Sequence, residues 1–576
     1  MSFNLDNYQP TDIDNTEALV QWLRETRIDE IECLLPDVNG MMRGKIVPCA
    51  DFIQSLDTDG LRLPETVLIQ SVTGESEYYT KVAAEIDLDI YVIPDVRTAR
   101  IVPWTAFPTA QIICDARNKQ GEMVPFAPRT VLKRVLAAYA ERGLKPIVAP
   151  EKEFYLVEKN IDPDIPLSVP VGMSGRREAG RQAYGIEAAN EYDAVVNQIY
   201  DYCEACSISI GTMAHEAGPA QLEINFKHGD PLALADQVFL FKRLVRKAAL
   251  NHGMYATFMA MPHASEPGSA MHIHQSVLDV KTGENIFSLP DGSDSPALMH
   301  YIAGLQRYVE PATALFCPNV NSFRRMRLES DAPINLHWGR DNRTCGLRVP
   351  DSGRAARRVE NRIGGADANP YIAIAATLAC GLLGLDQKLE PGPLTVGDAH
   401  ELEFTLPRHL PEALEQLDAC KELRAALGES FIDAFVEVKT LEMNKYNRVV
   451  SSWERNVLLL SMSCAFNRAI KGRILGNSSA SADIDTCGLV GGLVAHVWWD
   501  YRYSTGARSA RFPRSTSSPI ARCGRYRSAP CCCSRCAGSA SRSRSAGHGL
   551  LHWCGAGLRC ILATCCIGAD AGIRRF

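Results

Sequence analysis

The feature that most limits what this chain can fold into is an abrupt change of character between residues 459 and 472. From residue 472 to the end there are 14 Arg and 4 Asp but neither Lys nor Glu. Of the chain's 61 Lys+Arg and 67 Asp+Glu, residues 1–471 hold 47 and 63, so an acidic body carries a basic appendix. Cysteine divides in the same way, with nine in residues 1–459 and eleven in the last 117. The tail has no apolar periodicity. Its wealth of Arg, Ser, Cys, Ala and Gly matches GC-rich DNA read in the wrong frame. Residues 461–576 are therefore read as a disordered, low-complexity frameshift extension. The alternative is that Cys531, Cys532, Cys533 and Cys536 bind a metal, or that the arginines bind nucleic acid or anionic lipid.

The body reads as a folded enzyme. With 46% hydrophobic and 22% charged residues overall, disordered, collagen-like and membrane-embedded classes are excluded. The N-terminal stretch is acidic and polar, unlike a secretory signal. Cys487 to Trp499, the most apolar piece of the tail, is short of the roughly 20 residues that span a bilayer. The body's cysteines lack metal-like spacing, and Cys203 and Cys206 read as packing thiols in a helix. A cytoplasmic protein is expected, with no membrane partner and, from its negative body, no nucleic acid.

Two domains are expected in that body, a β-rich one over residues 1–116 and an α+β one over residues 117–460. An amphipathic helix is predicted over 13–28. IECLLP and MMRGKIVP then flank Asp37-Val38-Asn39-Gly40, and Asn-Gly predicts a hairpin with a type I′ turn. Strands follow within 87–116, a linker over 116–129, and a helix from Thr130 ending at Gly143.

The chemistry lies beyond that helix. Glu151 and Glu153 are two apart in a strand-like run, which puts both carboxylates on one face and Lys152 and Phe154 on the other. His272 and His274 repeat that spacing, as do Glu360 and Arg362, while Glu216 and Glu223 flank a Gly-Pro turn. Each pair alone is as common on a solvated face. Together, five Glu and one His offer oxygen-rich coordination suited to Mg²⁺ or Mn²⁺. Two such cations can neutralise nucleotide phosphates during transfer. Arg325, Arg343, Arg348, Arg358 and Arg362 add planar donors for carboxylate and phosphate. There is no Walker-type loop.

In order and separation, PDVNGMMRGKIVP (36–48), EKEFYLV (151–157), HEAGPAQLEINF (215–226), GSAMHIHQS (268–276), NSFRRM (321–326), DNRTCGLRVP (341–350) and RVENRIGGADANPY (358–371) resemble the glutamine synthetase family. The likeness runs over roughly residues 15–459. It implies an N-terminal β-grasp domain and a catalytic domain built on a curved antiparallel sheet with flanking helices. It also implies a homo-oligomer of hexameric rings, a dodecamer when two rings stack, with active sites between subunits. By the same resemblance, Glu153, Glu216 and Glu223 hold one divalent cation, and Glu151, His272 and Glu360 the second. His274, Ser276, Arg348 and Arg358 contact ATP. Arg325, Arg343 and Arg362 hold glutamate and the transferring phosphoryl group. Asp37, from the adjacent subunit, binds and deprotonates the amine. Read without the resemblance, Asp37 is a turn residue.

The wording of 336–350 and 358–371 is similar to that of γ-glutamylpolyamine synthetases. Asp331 stands where ammonia-using members carry a longer flap glutamate, leaving room for a larger amine, and Tyr184 matches a tyrosine near the amine site. The implied reaction joins the γ-carboxyl of L-glutamate to a primary amine, with putrescine as the expected type, by way of γ-glutamyl phosphate. Ammonia as substrate and a catalytically dead ring-forming relative are the alternatives.

Overall fold

The computed structural model describes residues 13–58, 60–75, 86–328 and 330–459. Residues 1–473 group as one compact unit, and the extension expected from residue 461 lies outside the described residues. The first helix is shorter than its pattern suggested, Thr16–Glu25, because the Asn15 side chain caps Ala18 N–H and stops it on the N-terminal side.

Six strands form the first sheet: β1 (Glu30–Pro36), β2 (Met42–Pro48), β3 (Leu61–Pro64), β4 (Asp89–Pro94), β5 (Arg100–Ile101) and β6 (Thr109–Arg117). Their order is β2-β1-β6-β4-β3, with β5 on β6; β1 and β6 run parallel and the other pairs antiparallel. The β1–β2 hairpin is where the sequence puts it, but its turn is not type I′. Of the turn residues only Gly40 has positive φ, at 71°. Asp37 N–H bonds to Met41 O at 3.1 Å and Gly40 N–H to Asp37 O at 2.9 Å, a loop one residue longer that needs a left-handed residue only at its end.

The second sheet comprises β7 (Leu144–Glu158), β8 (Ile210–His215), β9 (Gln221–Phe226), β10 (Met254–Thr257), β11 (Met271–Asp279), β12 (Trp338–Arg340), β13 (Leu347–Val349) and β14 (Val359–Asn361). The order is β12-β13-β14-β11-β7-β9-β8, with β10 on β7. Antiparallel pairing holds except at the edge, where the short β12 and β13 are parallel. Alternation along β7 works as expected: Phe154 and Lys152 are buried on the helix side. There Lys152 Nζ donates to Ala366 O at 2.6 Å.

The helices Pro128–Glu141, Pro231–Asn251, Pro296–Tyr308 and Pro370–Gln387 all begin with Pro in the first turn, where its missing N–H costs nothing. Pro128 thus opens the helix predicted from Thr130. Pro370–Gln387 is long and apolar enough to cross a membrane, yet 78% of it is buried inside the fold. It meets Pro296–Tyr308 so closely that a Cβ on Gly304 would lie 2.4 Å from Cys380 O. Arg129 sits among three carboxylates: Asp115 at 2.8 Å, Asp95 at 2.7 Å and Asp236 at 2.9 Å. Asp115 lies on β6 and Asp95 directly follows β4, so this buried cation joins the first sheet to the helical layer. All nine described cysteines are free, with Cys203 and Cys206 buried.

Candidate active site

Strand register assembles the acidic row. Glu151 on β7 faces His272 on β11, Glu153 faces Glu223 on β9, and His274 on β11 faces Glu360 on β14. Four adjacent strands spaced about 4.8 Å apart therefore carry the carboxylates and imidazoles across one sheet face. All but the wholly buried Glu360 open into a cavity of about 760 Å³ that is also lined by Glu216, Arg325, Asp331, Arg343, Arg348, Arg358, Arg362 and Tyr184.

Two groups of potential ligands converge there, Glu151–His272–Glu360 and Glu153–Glu223–His272, each with donor atoms within 4.8 Å of one another. The first is the trio expected for one cation. In the second, His272 stands where Glu216 was expected. Glu216 lies past the end of β8, and its carboxylate accepts from its own neighbour's Ala217 N–H. It lines the cavity without joining either group.

The two sides of the row differ in electrostatics. Burial alone would raise Glu151, but hydrogen bonds from His274 (2.9 Å) and His272 (3.3 Å) hold it far below the usual carboxylate range. Burial likewise raises Glu360, yet His274 and Arg362 hold it at about 2. Its oxygens accept from Arg348 at 2.9 Å and Arg362 at 2.6 Å. On the other side, burial and the charge of Glu216 push Glu153 up to about 7. Burial and Glu153 push Glu223 up to about 9. His272 is pushed down to about 4 by burial, leaving it neutral and able to ligate. Crowded carboxylates beside a neutral imidazole fit a hard divalent cation, which would relieve their repulsion.

The arginines divide by depth. Arg325 is buried and anchored on Ile363 O (2.9 Å) and Arg362 O (3.1 Å). Arg362 and Arg348 lean on Glu360, and Arg358 Nε reaches His274 Nδ1 at 3.3 Å. Arg343 and Asp331 are exposed on the rim. Tyr184 is there too, in a left-handed backbone (φ 60°), with its N–H on His215 O at 2.8 Å. Ser276 shares the strand face of His272 and His274 but does not line the cavity.

Asp37 lies outside this cavity within its own chain. It is wholly buried, accepting from Asn39 N–H at 2.9 Å, Met41 N–H at 2.8 Å and Arg43 Nε at 2.8 Å. Burial nevertheless outweighs those donors and raises it to about 6. Residues that the sequence reading passed over also line the cavity, among them Arg181, Gln221, Asn225, Thr344 and His400. Gln221 and Asn225 alternate with Glu223 along β9, a signal that was there to be read. His400 arrives from a distant loop and left no local trace.

Comparison with known proteins adds kinship to this geometry. Residues 125–458 match the profile described as "Glutamine synthetase, catalytic domain". A glutamate–isopropylamine ligase from a Pseudomonas species is 32% identical over 453 residues, covering 75% of this chain and 95% of its own. The γ-glutamylputrescine synthetase PuuA of Escherichia coli K12 is 34% identical over 430 residues, 74% of this chain and 90% of its own. A glutamine synthetase from Pyrococcus abyssi is 32% identical over 425 residues, 72% and 90% of the two chains. Among solved structures, "Apo GmaS without ligand" superposes with a TM-score of 0.66 at 28% identity, over 77% of this chain and 99% of that one.

Proposed function

Since the chain belongs to the glutamine synthetase family and is a γ-glutamyl ligase of that family, we propose that its amine is a polyamine such as putrescine. The observation that carries the ligase chemistry is the row of carboxylates and imidazoles across β9, β7, β11 and β14, with arginines at its margin. For the amine, support comes from the two amine-ligating relatives and from Asp331 and Tyr184 among the residues that line the cavity.

Glu151, His272 and Glu360 would hold one divalent cation, Mg²⁺ or Mn²⁺, and Glu153 and Glu223 the other, with Glu216 beside them. Such cations, when bound, neutralise the polyphosphate of ATP. The residues do the remainder. Arg325 and Arg362 orient glutamate so that its γ-carboxylate attacks the γ-phosphorus of ATP, giving γ-glutamyl phosphate and ADP. Arg343, Arg348 and Arg358 meet charge on the phosphoryl oxygens and nucleotide. A primary amine then attacks the acyl carbon and phosphate leaves. An alkylammonium, with a pKa of about 10.4 as in lysine, has no lone pair to attack with. Asp331 on the rim and Asp37 from a neighbouring subunit would draw the cation in and take its proton. A ring of chains supplies that neighbour, and residues 13–116 and 117–459 act as its two domains. Ser276, two residues beyond His274 on the same strand face, would meet the far end of the nucleotide.

The test measures ADP release from ATP, Mg²⁺ and L-glutamate with putrescine, isopropylamine or ammonia. Turnover highest with putrescine supports the proposal. A preference for ammonia makes the chain a glutamine synthetase proper. No turnover with any amine from an assembled protein leaves a structural relative.

A further inference from the structure

A second cavity, of about 700 Å³, lies between the β1–β2 turn and the helix Pro231–Asn251, with Met41, Val72, Phe258 and Met259 in its walls. Two cations of that helix, Lys242 and Arg246, also line it. Lys242 is only 7% exposed. Its ammonium lies 5.6 Å from the centre of the Phe258 ring, Arg246 lies 5.4 Å from it, and Lys152 is 5.7 Å away. One ring thus faces three cations, an attraction that leaves their mutual repulsion standing.

Other cations of this region are paired. Arg243, beside Lys242 on the same helix, forks onto Glu32 and covers Trp104. Lys439 reaches Glu442 at 2.8 Å. Among the described residues, Lys242 and Arg246 have no hydrogen-bond or ion-pair partner. Asp367 is the one acid in the cavity wall; its Oδ2 is taken by Asn319 (2.7 Å) and Ser322 (2.6 Å), while its Oδ1 has no hydrogen-bond partner and, with Asp37, favours the charged form of Lys242 only from beyond ion-pair distance. Burial and Arg246 push Lys242 down to about 8, which still leaves it charged at neutral pH. A nearly dry, unpaired ammonium beside a guanidinium is costly to keep unless something anionic joins it.

We propose that this cavity is a second ligand site, taking a small oxyanion (carboxylate or phosphate) between Lys242 and Arg246, with its hydrocarbon part against Met41, Val72 and Met259. The site is separate from the acidic row of its own chain, although the turn that walls it carries the Asp37 proposed to act on a neighbouring subunit, and it stands whatever amine the enzyme uses.

The probes are inorganic phosphate and butyrate, applied to the full-length protein stripped of metals by a chelator, so that the catalytic carboxylates repel anions. Equilibrium dialysis with labelled phosphate should find about one bound ion per chain beyond any held by the catalytic arginines. The Lys242→Met/Arg246→Met variant should bind it at least tenfold more weakly. Displacement by butyrate marks a carboxylate ligand, and its failure marks a phosphoryl one. In the unaltered chain, phosphate should slow acetylation of Lys242, read by mass spectrometry, which frees the test from any folding defect in the variant. Equal phosphate binding by both proteins, or no protection of Lys242, overturns the site. So does a variant whose loss of binding only accompanies dissociation of its oligomer, since the two cations would then be serving a second copy.

Discussion

Replacing Glu360 by Ala should cost more stability than any other single change in the acidic row. Glu360 is wholly buried and accepts from Arg362 at 2.6 Å and Arg348 at 2.9 Å. Arg348 keeps Asp341 at 2.9 Å when Glu360 is gone. Arg362 does not recover in this way: among the described residues Glu360 is the acceptor its side chain has, and its Nε is already buried without a partner. Stranding one partner of a buried pair costs about 3–5 kcal/mol. Relief of repulsion from Glu151 offsets part of this, so the lower end, about 3 kcal/mol, is expected for Glu360→Ala. Glu360→Gln keeps an acceptor oxygen but loses the charge, at about 1 kcal/mol. Urea unfolding of the chelator-treated protein gives both numbers. Added Mg²⁺ should then raise the unfolding midpoint of the unaltered chain and raise those of the variants less. If Glu360→Ala were as stable as Glu360→Gln, the pairing with Arg362 would not be holding this part of the site together.

Three further outcomes follow from the same geometry. A carboxyl raised in the fold from 3.8 to about 6 binds its proton more tightly folded than unfolded. Asp37 should therefore cost stability as pH rises through that window, by about 3 kcal/mol in all, and Asp37→Asn should flatten this part of the stability–pH curve. If Asp37 is the base, the ligation step should also rise with pH around 6, and Asp37→Ala should lose ligation while keeping glutamate-dependent phosphoryl transfer. Asp331→Glu adds one methylene at the rim and should shift kcat/KM toward ammonia over putrescine by about tenfold, measured by competition between the two amines. Arg129→Met leaves buried Asp236 without its cation, while Asp95 keeps Arg97 and Asp115 keeps Lys133, and urea unfolding should show a loss of about 3 kcal/mol.

Period-two spacing was enough to foresee that Glu151 and Glu153 share a face, and likewise His272 and His274, because alternation is a local property of a strand. It could not say which strands lie side by side. His272 belongs to both ligand groups only because β11 pairs with β7 in the register that sets it against Glu151. That register is decided by packing between segments 121 residues apart. The direction of Glu216 was hard to read for a related reason: it leaves its strand, and a turn residue's direction follows from its own backbone bonds. The hairpin at residues 30–48 was legible in its strands, while its turn type depended on one extra residue between them. The parallel β12–β13 edge and the arrival of His400 at the cavity are long-range outcomes with no local pattern to betray them.

The central claim is that glutamate is activated through its γ-carboxylate before any amine attacks. It is tested most directly with L-glutamate labelled with ¹⁸O in that carboxylate, supplied with ATP, Mg²⁺ and putrescine. One labelled oxygen should appear in the released inorganic phosphate for each amide formed, because the carboxylate oxygen that attacked phosphorus leaves with it. Amide formation accompanied by unlabelled phosphate would contradict the account.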